Sequence, residues 1–191
     1  MYPEYIEINN KQYKINTDFR VALACFRAIE DDEINDYARV EAVISLLLGV
    51  EKDNKVQIPK IDVTELDKVL ELLVKYLTCN DGEEKKTTSN KRDMDFIQDE
   101  KYIYASFLSD YNIDLDTIEY MHWWKFCNLI SGLTDKCILS RVRDIRNTDL
   151  SEYKDSKTKE KLIKAMKNVK LKEKKTKEEQ NAINEFNSLF D

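Results

Sequence analysis

Glycine, proline and histidine are scarce in this chain: three glycines, two prolines and one histidine occur among 191 residues. So little glycine and proline leaves few of the tight turns that an all-β fold needs. It also removes the clustered glycines of phosphate-cradling nucleotide loops. With a single histidine, a Ser-His-Asp or Cys-His mechanism could be built only on His122. Long apolar runs are missing too, since stretches such as Leu46-Leu47-Leu48 are far too short for a bilayer. The N-terminus is polar and has no apolar leader core, so a soluble protein that stays in the cell that makes it is expected.

What the chain has in quantity is Lys, Glu, Leu, Ile and Asp, a composition that suits helices with charged outer faces. The expected class is therefore mainly α. Cys25, Cys79, Cys127 and Cys137 lie far apart without Cys-x-x-Cys spacing, which fits buried free thiols better than bridges or zinc. Charge is uneven: Ser156 to Glu178 holds ten Lys against three Glu, while the whole chain carries a net −6, so an acidic body bears a basic arm.

Along the chain, Ile6-Glu-Ile8 and Tyr13-Lys-Ile15 alternate around Asn9-Asn10, a pair that tolerates left-handed backbone; this predicts a β-hairpin. Asn16-Thr17-Asp18 then caps a helix carrying Phe19, Ala22, Leu23, Phe26 and Ile29. Asn35-Asp36 opens a second, in which Tyr37, Val40, Val43, Ile44, Leu47 and Leu48 form a wide stripe before Gly49. A polar linker closes at Pro59, and Thr64-Glu65 opens a third helix, with Leu66, Val69, Leu70, Leu73, Tyr76 and Leu77 on one face and Asn80-Asp81-Gly82 at its end. Residues 82–93 contain no apolar side chain and predict a linker.

Beyond it, Phe96, Tyr102, Ile103, Tyr104 and Phe107 lead to a bend at Tyr111-Asn112. A helix over roughly Asp116 to Ser131 follows, apolar on almost every side and therefore expected at the centre of its half. Thr134-Asp135 predicts the cap of a helix carrying Cys137, Ile138, Val142 and Ile145, with Arg141, Arg143 and Arg146 on or near its outer side. The basic arm carries a thin stripe of Leu162, Met166 and Val169, and Thr176-x-x-Glu179 fits a capping box before Ile183, Phe186, Leu189 and Phe190. The expected organisation is an N-terminal hairpin plus three helices over 1–81, a linker over 82–93, an aromatic-rich helical core over 94–150 and a charged helical tail over 151–191.

No motif supplies a catalytic, metal or cofactor site. His122 falls on the aromatic helix and reads as a satisfied core histidine; on that helix Cys127 points elsewhere and forms no dyad with it. Asn112-x-Asp114-x-Asp116 resembles the start of a calcium loop, but Thr117 replaces the required Gly and Trp123 the closing Glu. The two aspartates read as a helix cap and first-turn acid. The basic arm has no Arg and no interleaved aromatic, and sits on an acidic chain, so nucleic acid is a disfavoured partner. Most of the aromatic segment reads as core, with Tyr102, Tyr104 and Trp123 as candidates for a partner surface. Ile183, Phe186, Leu189 and Phe190 are further candidates, because an amphipathic helix at a chain end needs cover.

The stretch Lys101-Tyr-Ile-Tyr-Ala-Ser-Phe-Leu-Ser-Asp-Tyr-Asn-Ile-Asp-Leu115, with His122-Trp-Trp-Lys-Phe126 and Ser131-Gly-Leu133, resembles the bacteriophage gene-product-fifteen family. Ile15-Asn-Thr-Asp-Phe-Arg20, the acidic Glu30-Asp-Asp-Glu33 and the lysine-rich end resemble it as well, so the likeness covers nearly the whole chain. The resemblance implies a product encoded between the tail-tube and tape-measure genes of long-tailed phages of Gram-positive hosts. It further implies a tail assembly chaperone that acts on the tape-measure protein in the host bacterial cytoplasm, self-associates and has no catalytic residues. The competing readings are a structural tail component retained in the virion and a nucleic-acid-binding regulator using the lysine arm.

Overall fold

A computed structural model describes residues 1–52, 55–79 and 92–172. It is mainly helical and opens with an antiparallel hairpin, β1 (Tyr5–Ile8) and β2 (Lys11–Lys14), in which Ile8 faces Lys11 across the turn. Asn9 and Asn10 both adopt positive φ, 49° and 63°, the backbone of a two-residue type I′ turn. Alternation then buries Ile6, Ile8, Tyr13 and Ile15 against the helices.

Three helices follow, α1 (Phe19–Glu30), α2 (Asp36–Leu48) and α3 (Leu66–Leu77). Asp18 caps α1 by accepting from the Arg20 amide, and Asn35 caps α2 by accepting from the Ala38 amide at 2.9 Å. Much of each stripe read from the sequence is buried, Phe19, Ala22 and Leu23 on α1, Val43, Ile44, Leu47 and Leu48 on α2, and Val69, Leu73, Tyr76 and Leu77 on α3, whereas Ile29 and Tyr37 are exposed. Helix α3 ends at Leu77 with Cys79 in left-handed backbone, while the expected stop at Asn80-Asp81-Gly82 lies outside the described residues. The 49–59 stretch is not a plain linker. It contains a second antiparallel hairpin, β3 (Val50–Lys52) with β4 (Lys55–Gln57), exposed along its whole length. No inward face exists there to impose an apolar alternation, which is the signal a strand usually leaves.

The later helices are α4 (Glu100–Tyr111), α5 (Trp123–Ser131), α6 (Ile138–Asn147) and α7 (Ser156–Val169). The bend expected at Tyr111-Asn112 is the end of α4, with Asn112 left-handed at φ 52°. The helix expected over 116–131 is shorter. Asp114 caps only an isolated turn, accepting from the Asp116 amide, and helix resumes at Trp123. The cause is tertiary: Phe19 donates its amide to the Met121 carbonyl at 2.9 Å and Trp123 to the Thr17 carbonyl at 2.7 Å. These bonds pair Asp18 with His122 as a short antiparallel bridge and hold His122 in extended backbone until helix begins at Trp123.

Two compact units divide the chain at Val142 and Arg143. The first holds one core that draws on both sides of the polar segment, since Phe26 of α1 packs on Phe96 and on Trp123 at ring distances of 5.2 and 5.8 Å. Of the linker expected over 82–93, only Arg92 and Asp93 are described. In the second unit Arg146 is buried rather than outward, and its Nε donates to the Val169 carbonyl at 2.6 Å, joining the end of α6 to the end of α7. Asp155 caps α7 by accepting from the Thr158 amide, and Leu162, Met166 and Val169 form its half-buried stripe.

The α1 cap makes stability sensitive to acid. Burial pushes the Asp18 carboxyl up, but hydrogen bonds from the Arg20 side chain and amide outweigh it and hold the group below the usual carboxylate range. A depressed folded value means that the unfolded chain binds the proton more tightly. The contribution is then complete above the unfolded value of about 4 and is lost as pH falls through the folded one. Asp18→Asn keeps a capping acceptor and removes the titration. Urea denaturation is expected to show it about 1 kcal/mol less stable than wild type at pH 7, with the gap closing toward pH 3. An equal gap at both pH values would exclude this assignment.

Candidate protein-docking surface

The chemistry-bearing side chains of the first unit serve the fold. His122 is the N-cap of α5, where its Nδ1 accepts from the Trp124 amide at 3.0 Å. Its Nε2 lies 3.1 Å from the Pro3 carbonyl, so the neutral Nε2–H tautomer satisfies both bonds. Tyr2 stacks on the ring at 4.9 Å and Tyr76 meets its edge at 6.3 Å. The reading of His122 as a satisfied core residue holds, although it begins the helix instead of lying within it. His122→Ala removes the cap and leaves the Pro3 carbonyl without its donor, and is expected to cost about 1–2 kcal/mol in urea denaturation. His122→Asn should recover roughly half, since Asn caps well but is too short for Pro3.

Cys25 is buried on α1, and burial pushes its thiol up to about 12, so it is inert at neutral pH. At Cys137 burial also raises the thiol, but bonds with Ser106 and Ser140 outweigh it and lower the value overall. Among the described residues no cluster of His, Cys, Asp and Glu could hold a metal ion, and no helix is long and apolar enough to cross a membrane.

The candidate partner residues separate. Trp123 is fully buried, with its indole N–H donating to the Leu77 carbonyl at 3.0 Å, and this corrects its expectation as a contact surface. Its neighbour Trp124 is the half-buried one, donating to the Tyr76 carbonyl at 3.0 Å. Tyr102 and Tyr104 are half-buried on α4, with the Lys101 ammonium 4.8 Å from the Tyr102 ring centre. Two positions apart on a helix, they face different ways and make no single patch. Ile183, Phe186, Leu189 and Phe190 lie outside the described residues.

An open apolar surface occurs where the sequence reading placed only core and linker. Tyr37, Val40, Glu41 and Ile44 form one wall of a groove of about 230 Å³. The other wall is Ile58, Pro59 and Ile61, and Asp62, Val63 and Leu66 close the end. Tyr37 is 79% exposed and Val63 86%, values that a core stripe does not show. The α2 stripe is wide because it serves two faces: Val43, Ile44 and Leu47 are buried in the core, while Tyr37 and Val40 lie along the groove, whose wall Ile44 also reaches. That width was the available signal. The rim is acidic through Glu41 and Asp62, and hydrogen bonds from the Thr64 hydroxyl and amide hold the Asp62 carboxyl below its ordinary range.

Fold and surface together define a mainly helical protein, opened by a hairpin, with His122 at a helix cap and an apolar groove along α2. The family model described as Bacteriophage Gp15 protein matches residues 2–171, and the chain belongs to that family. No match was found among curated proteins or among solved structures.

Proposed function

We propose that this phage protein is a tail assembly protein that binds the tape-measure protein as a chaperone in the host bacterial cytoplasm, self-associates and performs no catalysis. The observation that carries the reading is the family match over residues 2–171, together with what the resemblance of the Lys101–Leu115 and His122–Phe126 segments implies. Three physical features support it. The groove presents apolar side chains to a helical client, the hairpins leave strand edges available, and the net charge of −6 opposes aggregation.

The test is co-expression with the tape-measure protein of the same phage or prophage. The client is expected to become soluble and to elute with this chain, while mass spectrometry of purified virions finds the chain absent or scarce. A client that stays insoluble and separate would end the chaperone reading. Stoichiometric recovery in virions would favour a retained structural component.

A further inference from the structure

The groove has a shape and a charge that select its occupant. At about 230 Å³ it lies below the roughly 300–1,000 Å³ of small-molecule sites, which suits a few inserted side chains better than a cofactor. Its walls are aliphatic with one tyrosine, and both belong to the first unit. The surrounding chain from Glu30 to Asp67 carries eleven acidic side chains against four basic ones. A second copy docking groove to groove would bring two acidic rims, each with Glu41 and Asp62, together, so a self-complementary dimer is disfavoured there. A helix with an apolar stripe flanked by lysine or arginine satisfies the walls and the rim together.

We propose that the groove between α2 and the 58–66 segment binds an amphipathic helix of the client, with apolar residues at i and i+3 or i+4 inserted between Tyr37, Val40 and Ile58 and basic residues along the Glu41 and Asp62 rim. This rests on the chaperone reading and adds the surface and the chemistry recognised.

The experiment uses the full chain and two synthetic helical peptides of about 18 residues with the same leucine stripe, one flanked by Lys and the other by Glu. Fluorescence anisotropy at low salt is expected to show the Lys peptide binding about tenfold tighter or more. Tyr37→Ala with Val63→Ser should weaken it by at least about tenfold, and Glu41→Lys, which leaves Asp62 as its counter-charge, should abolish the charge preference. Tyr37 and Val63 are largely exposed, so these variants leave the core intact; Val74→Ser, 56% exposed on α3 away from the groove, is the matched control. Equal binding of both peptides, no binding of either, or equal losses in Val74→Ser would overturn the proposal. Self-association of the wild type abolished by the groove variants would assign the face to a second copy and also overturn it. In co-expression, a client that stays soluble and bound with the groove variants sinks this inference alone, whereas a client that never associates with the wild type sinks the chaperone reading.

Discussion

Trp123→Ala is expected to lose about 3–5 kcal/mol, a large part of the roughly 5–15 kcal/mol that holds a domain of this size together. The side chain is completely enclosed and lies against Phe26, Phe96 and Phe126 at ring distances of 5.8, 5.2 and 5.6 Å. Those three rings come from α1, from the segment before α4 and from α5, so the cavity would open where separate stretches of chain meet. The Leu77 carbonyl would also lose its indole donor. Trp124→Ala is the internal comparison. That ring is half-buried and, among the described residues, stacks on Tyr76 at 6.4 Å, so its loss should cost about 1–2 kcal/mol. Urea unfolding of both variants at one pH measures the difference. Similar costs for the two would mean that Trp123 is not the centre of this core. Any loss of client binding in Trp123→Ala should therefore be read through its unfolding, and not as evidence of a contact surface.

Gly49→Ala sets two arguments against each other. The backbone at φ −68° and ψ 135° is open to any residue, so conformational freedom alone makes alanine neutral or stabilising by about 0.4–1 kcal/mol. Space says the reverse. A Cβ at Gly49 would fall 2.2 Å from the Ser45 carbonyl oxygen as well as against Val56. The Ser45 oxygen is backbone, fixed in the last turn of α2 and accepting the Gly49 amide at 2.9 Å, so it cannot move aside cheaply. We expect a net loss of about 1–3 kcal/mol by urea denaturation. Adding Val56→Ala should restore only the part due to Val56. A stabilised single variant would show that the chain between α2 and β3 yields without cost.

The elements legible in the sequence were those whose signals are local. Asn9-Asn10 specifies its turn through backbone that few other residues tolerate, and Asp18 and Asn35 specify helix starts through side chains that reach the next turn. Elements set by distant contacts were not legible in this way. The aspartates at 114 and 116 look like a helix start, yet the extended pairing of Asp18 with His122 delays it to Trp123. Arg146 resembles its outward neighbours in composition, and the Val169 carbonyl that accepts from its Nε is a distant partner that the sequence does not show. The groove went unrecognised because a stripe facing a core and a stripe left open use the same residues; exposure separates them, and periodicity does not carry exposure.

The contacts made by the first residues also govern when the chain can finish folding during synthesis. Pro3 meets His122 and the Tyr2 hydroxyl accepts from Asn128, partners 119 and 126 positions later. At about 5–20 residues per second a ribosome needs roughly 6–25 s to supply them. Throughout that interval the hairpin can form its own turn, but Tyr2 and Pro3 before it have no partners to meet, so the earliest residues of the polypeptide to be made are among the last to settle.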